Sequence, residues 1–216
     1  MTVKQAAIAA IVGQFGYPRG KAGKVAGWVM AHRSSNRRRN NWVVSLLDVR
    51  PTDRVLEIGF GPGLAIADLS RRIGDSGHIY GADHSDVMLQ QAARRNAAAI
   101  RAGRVTLARG SVYHLPSGFD GPFDAILAVN SLGFWPRPTE RLEELRRRLT
   151  PGGRIAVASQ PRCPGATGTS LNAAREIEDL LRDAGFTHLR AETLNLNPPV
   201  VCVLAVNQKP MTGEAS

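Results

Sequence analysis

Apolar and polar residues follow one another along this chain in blocks that predict a repeating strand–helix order. Near-continuous apolar runs predict strands near 53–58, 77–82, 103–108, 122–129 and 153–159. Runs apolar throughout are expected of parallel strands covered on both faces. Between them, apolar residues at helical spacing predict helices near 64–73, 86–100 and 139–149. In the last of these Leu142, Leu145 and Leu149 share a face, glutamates come early and Arg146–Arg148 come late, an order that suits the helix dipole. After Pro161 a loop rich in Pro, Gly and Thr leads to Ser170, a predicted N-cap. The helix that follows runs to about Ala184 and closes at Gly185. Two further strands, near 187–195 and 199–206, are joined by the short Asn195–Pro199 connection, which predicts an antiparallel pair.

Upstream, residues 1–50 predict a mostly helical extension of the same domain. Glycines and Pro18 break its first part. Val25, Ala26, Trp28, Val29 and Met30 suggest a short amphipathic helix. Ser34, Ser35 and Asn36 are N-cap types, and Trp42, Val43, Leu46 and Leu47 then recur at helical spacing up to Pro51. Residues 51–207 make the α/β domain, and 208–216 are expected to fray.

The chain is centred on Arg54-Val55-Leu56-Glu57-Ile58-Gly59-Phe60-Gly61-Pro62-Gly63. Strand, glycine turn and helix open a nucleotide-binding α/β unit. Dinucleotide sites read G-x-G-x-x-G; here single residues separate Gly59, Gly61 and Gly63, and Glu57 precedes them. That pattern resembles motif I of class I S-adenosylmethionine-dependent methyltransferases. Gly81-Ala82-Asp83-His84-Ser85-Asp86-Val87-Met88-Leu89 resembles motif II of the same family. Arg109-Gly110-Ser111-Val112-Tyr113-His114-Leu115-Pro116 resembles its adenine-contacting loop, and Phe123–Asn130 its motif IV. Leu149–Ile155 looks like the turn into the fifth strand. Five blocks stand in the family's order over residues 53–160.

The resemblance implies a Rossmann-like, doubly wound, seven-stranded sheet, mostly parallel, with the last strand inserted antiparallel. It implies S-adenosylmethionine as cofactor. The backbone at Gly59, Gly61 and Gly63 would cradle the methionyl and ribose part. Glu57 would organise that loop or reach the amino group through water. A carboxylate at Asp83 can accept two hydrogen bonds from a ribose diol; an N-cap box with Ser85 is the competing reading. His84 follows it in the same motif. Met88 would pack near the adenine, or simply fill the core. Ser111 and Val112 fall in the adenine loop, where Ser111 replaces the commoner acidic residue. Asn130, with Ser131 and Trp135, ends the fourth strand, the edge where such sheets bind ligands. Asn130 would touch cofactor or acceptor, and Trp135 would wall the acceptor pocket or serve as a core aromatic. Gln14–Gly20 resembles the opening of a bacterial branch of small, type-11-like methyltransferases, in which this segment forms part of a lid; Tyr17 and His32 are candidate lid residues. His114, His32 and Tyr17 are candidate bases for a hydroxyl acceptor, each with a structural reading beside it, and no catalytic base is assigned.

Composition narrows the function classes. With 216 residues and 43% hydrophobic content the chain suits one globular domain. Cys163 and Cys202 form neither a metal cluster nor a disulfide framework, and arsenic methyltransferases use more cysteines. No metal is expected. No apolar run approaches a membrane span, and a cytoplasmic enzyme is expected. The formal charge is +10, and residues 1–50 hold nine basic residues against Asp48 alone. Such a segment attracts anionic substrate, nucleic acid or lipid headgroups, or serves as a solvated face.

The leading reading is methyl transfer to a small-molecule or lipid-like acceptor. The amino-methylating signature of nucleic-acid enzymes is missing at Asn130-Ser131-Leu132-Gly133. An RNA methyltransferase using the basic segment and a non-catalytic S-adenosylmethionine-binding protein are the alternatives. Acceptor atom and oligomeric state are not legible.

Overall fold

The computed structural model describes residues 34–160 and 167–208, with the side chains of 167–170 outside that description. Helix α1 (Ser34–Leu47) leads into β1 (Arg54–Ile58), α2 (Leu64–Leu69), β2 (His78–Asp83), α3 (Asp86–Arg95), α4 (Ala97–Arg101) and β3 (Val105–Arg109). The chain then crosses back to β4 (Phe123–Val129), a 3₁₀ turn (Leu132–Phe134), α5 (Pro138–Arg147), β5 (Leu149–Ser159), α6 (Thr167–Asp183), β6 (Thr187–Leu194) and β7 (Val200–Val206). The strands form one sheet in the order β3-β2-β1-β4-β5-β7-β6. The first five are parallel, and β7 runs antiparallel between β5 and β6. This is the doubly wound, seven-stranded α/β fold expected from the sequence.

Strand alternation sorts the core into two layers. On β4, Ala125, Leu127 and Val129 face one side, and Ile126 and Ala128 face the other. The first layer holds α1 to α4, including Val43, Val44, Leu47, Ile66 and Leu69. The second holds α5 and α6 through Leu142, Leu145, Ile177 and Leu181. The inner strands β1, β4 and β7 and the second half of β5 are therefore covered on both faces, which is why they are apolar at nearly every position, while edge strand β6 is not.

Several element ends differ from expectation for local reasons. Ser34–Asn36 lie within α1 rather than ahead of it, and Ser170 lies within α6, which already includes Thr167. The predicted helix at 64–73 ends at Leu69 and continues as turns. The predicted helix at 86–100 is two helices that break at Asn96, whose side chain bonds Ala92 O and Gly63 O. Gly185 takes φ +83° past the end of α6, as its C′ role requires. The expectations for residues 1–33, Cys163 and 209–216 fall outside the described residues.

Candidate active site

The sheet order reverses between β1 and β4, and the carboxyl ends of these strands open a crevice there. A cavity of about 180 Å³ occupies it. The loop after β1 forms its floor. Gly59, Gly61 and Gly63 all have positive φ, at +77°, +52° and +75°. A Cβ on Gly61 would meet nothing within 4 Å, so this turn presents bare backbone to the cavity. Gly63 does a different job. It does not line the cavity, and a Cβ there would stand 2.7 Å from Ala92 Cβ and from Asn96 Nδ2. Its missing side chain lets α3 close against the loop.

The loop is held from several sides. Gly61 N–H donates to Asp83 Oδ2 at 2.8 Å, and Ser85 N–H donates to Asp83 Oδ1 at 2.9 Å. Arg95 donates to Pro62 O at 2.7 Å and Asn96 to Gly63 O at 3.2 Å. Ser131 Oγ donates to Ile58 O at 2.9 Å, with its Cβ where a Gly59 side chain would lie. Sequence reasoning missed Arg95 and Asn96, because a polar residue on a helix gives no sign of which loop it touches.

Asp83 is 5% exposed at the end of β2. Burial pushes its carboxyl up, and the Ser85 and Gly61 amides and nearby His84 pull it back. Each oxygen still carries a second lone pair for a ligand. Ser85 also caps α3, accepting from Met88 N, so the capping reading of this turn and the carboxylate facing the cavity hold together. His84 is exposed, with Nδ1 3.8 Å from Asp83 Oδ1.

Glu57 is 2% exposed and lines the same cavity. Its Oε2 has no hydrogen-bond partner. Burial first, then repulsion from Asp83 and Asp68, pushes its carboxyl up to about 8. Asn130 sits at φ +55° just past β4. Its Oδ1 accepts from Gln160 N at 2.7 Å, while its buried Nδ2 has no partner. Met88 and Val112 are buried in the wall, Ser111 is half-buried and Tyr113 is exposed beside them. Trp135 is part of the second core layer and also lines the cavity.

Helix α1 contributes a wall that the sequence did not announce. Asn36, Arg39 and Asn40 are all buried and line the cavity. Arg39, at 7% exposure, donates from Nη1 to Asn36 Oδ1 at 3.0 Å and to Gln160 Oε1 at 2.7 Å. Gln160 in turn donates to Pro198 O at 2.8 Å, linking α1 to the β6–β7 turn. One of the arginines read as surface charge is thus part of the interior. His114 is exposed and outside the cavity lining; Tyr17 and His32 lie outside the described residues. Cys202 is fully buried on β7, and burial pushes its thiol to about 12. Among the described residues no cluster of three His, Cys, Asp or Glu could hold a metal ion.

The residues present fit S-adenosylmethionine. A bare glycine turn, a buried carboxylate at the end of β2 and two unpartnered polar atoms converge on one cavity. Fold and cavity together define a class I S-adenosylmethionine-dependent methyltransferase. Residues 55–153 match the methyltransferase domain family, and the chain belongs to it. It is 32% identical over 191 residues to the uncharacterized methyltransferase YdaC of Bacillus subtilis (strain 168), an alignment covering 87% of this chain and 99% of YdaC. It is 34% identical over 116 residues to the ubiquinone/menaquinone biosynthesis C-methyltransferase UbiE of Teredinibacter turnerae, covering 54% of this chain and 46% of UbiE. The fold is also that of a SAM-dependent methyltransferase from Aquifex aeolicus, with TM-score 0.68 and 20% identity over 85% of this chain and 97% of that one.

Proposed function

We propose that this methyltransferase acts on a small-molecule or lipid-like acceptor that enters beside Trp135. The observation that carries this reading is the set of aromatic side chains, Trp135, Phe134 and Phe60, in the cavity wall. Such walls offer a small apolar or amphipathic group a surface beside the cofactor. When bound, S-adenosylmethionine supplies a methyl group on a sulfonium, which is already activated for displacement. The protein's task is then to hold the acceptor in line and exclude water, and positioning of that kind supplies roughly 7–11 kcal/mol of barrier reduction.

In this reading Gly59, Gly61, Asp83 and His84 bind the cofactor from the β1 and β2 side. Met88, Ser111 and Val112 flank its base, Glu57 and Asn130 meet its charged or polar end, and Gly63 supports the loop from behind. Trp135 and Tyr17 belong to the acceptor side. The relatives covering about half of this chain carry names that range from ubiquinone/menaquinone biosynthesis to arsenite and protein L-isoaspartate. Their names therefore favour no single acceptor. A cytoplasmic location is part of the same reading.

The RNA alternative rests on the basic N-terminal segment. Arg37 and Arg38 are exposed, but Arg39 faces the cavity and is withdrawn from any such patch. The test is transfer of a labelled methyl group to a panel of small phenols, amines and lipid extracts, run beside total RNA. Label in the organic phase that falls at least tenfold in Trp135→Ala supports the proposal. Label in RNA alone, with steep salt dependence, overturns it.

A further inference from the structure

Glu57 is a carboxyl group in an unusual position. It lies near the end of β1, two residues before Gly59, and faces the crevice that the cofactor reading assigns to S-adenosylmethionine. Only 2% of it is exposed and Oε2 touches no donor. Burying an ionised carboxylate without a partner is costly, and a buried acid usually takes up a proton instead. Among the described residues, the charges that act on it supply no counterion. Asp83 at the end of β2 and Asp68 on α2 are negative and push its carboxyl further up, to about 8. Asn130, from the end of β4, is neutral. Of the groups that carry or can carry positive charge in the cavity wall, His84 lies beside Asp83, and Arg39 on α1 is bonded to Asn36 and Gln160.

The methyl donor is a cation at its sulfur and at its amino group. Its arrival would provide the positive charge that the cavity otherwise withholds from Glu57. We propose that Glu57 is a neutral carboxylic acid in the ligand-free protein and loses its proton to solvent when S-adenosylmethionine binds, so that donor binding and proton release are one event. The O–H bond of Glu57 breaks, the proton goes to buffer, and the carboxylate left behind faces the incoming positive charge. This rests on the cofactor assignment of the preceding section and adds a positioning role for Glu57. It also implies discrimination: S-adenosylhomocysteine lacks the sulfonium charge and should draw out less of the proton, so the product is held less firmly than the donor when pH is above neutral.

Calorimetric titration with S-adenosylmethionine, in two buffers of different ionisation enthalpy, counts the protons released. At pH 7 the wild type should release close to one proton per donor bound, falling toward none by about pH 9, and its affinity should rise about tenfold per pH unit below 8. Glu57→Gln should lose that release, and the donor's own amino group cancels in the difference between the two proteins. If Glu57→Gln does not fold, the comparison of S-adenosylmethionine with S-adenosylhomocysteine on the wild type takes its place; a smaller release with the uncharged product supports the proposal. Donor binding without proton release, or equal release in Glu57→Gln, overturns it while leaving the cofactor assignment intact. No donor binding at all overturns both.

Discussion

Asp83 uses both carboxylate oxygens to hold backbone amides, one from the glycine loop and one from the start of α3. Replacing it with alanine removes the acceptor for two buried or half-buried N–H groups, each worth about 1–3 kcal/mol when left unsatisfied. Asp83→Ala should therefore lose both stability, read by urea unfolding, and donor affinity, read by calorimetry, with a fall of at least tenfold in the latter. Glu57 ties stability to pH. Its folded carboxyl titrates near 8 against an ordinary value of 4.5, so the folded state holds a proton that the unfolded chain gives up. Stability of the ligand-free protein should fall as pH rises from about 4.5 to about 8 and then level off, with a total on the order of a few kcal/mol. Glu57→Gln should flatten that slope, as measured by denaturant midpoints at pH 5 and pH 8.

At the scale of elements, the glycine loop divides between ligand-facing backbone and packing. Gly61→Ala meets open space, so its cost is the left-handed backbone alone, about 1–2 kcal/mol. Gly63→Ala adds a collision with Ala92 and Asn96 to the same backbone cost and should lower the thermal midpoint further than Gly61→Ala. Helix α1 is the other telling element. The apolar set Val43, Val44 and Leu47 was legible as a helix face, and it enters the core as that face should. Arg39 was not legible, because a charged residue in an arginine run reads as solvated until Gln160, over a hundred residues away, is seen to meet it. Asn96 escaped notice likewise: only the loop it touches explains the break between α3 and α4. The strands and the glycine turn could be read in advance since their residues answer to local geometry. The polar residues that connect one element to another answer to the tertiary fold, which no single stretch encodes.

At the scale of the whole molecule, the two core layers are not equally easy to spare. The layer holding α2 to α4 is completed by α1, whose Val43, Val44 and Leu47 are fully buried. A chain beginning at Pro51 would expose that side of β4, β5 and β7. Loss of three such side chains costs about 1.5–3 kcal/mol each, so the shortened protein should unfold at markedly lower urea than the full chain or fail to stay in solution; a cooperative transition at the same midpoint would show that α1 is dispensable. Among the described residues no helix is long and apolar enough to cross a membrane.

The place of β7 carries a consequence for the way the molecule is made. It is the last strand of the sheet in chain order, yet it sits between β5 and β6 and is hydrogen-bonded to both. Until it emerges from the ribosome, β5 presents a bare edge with its amides and carbonyls unmatched, the kind of edge that pairs with a neighbour's. The glycine turn and its strands are synthesised early, but the sheet that supports them must wait for the final insertion. Interrupted or cleaved chains ending before Val200 should therefore be sticky nascent products rather than small working enzymes.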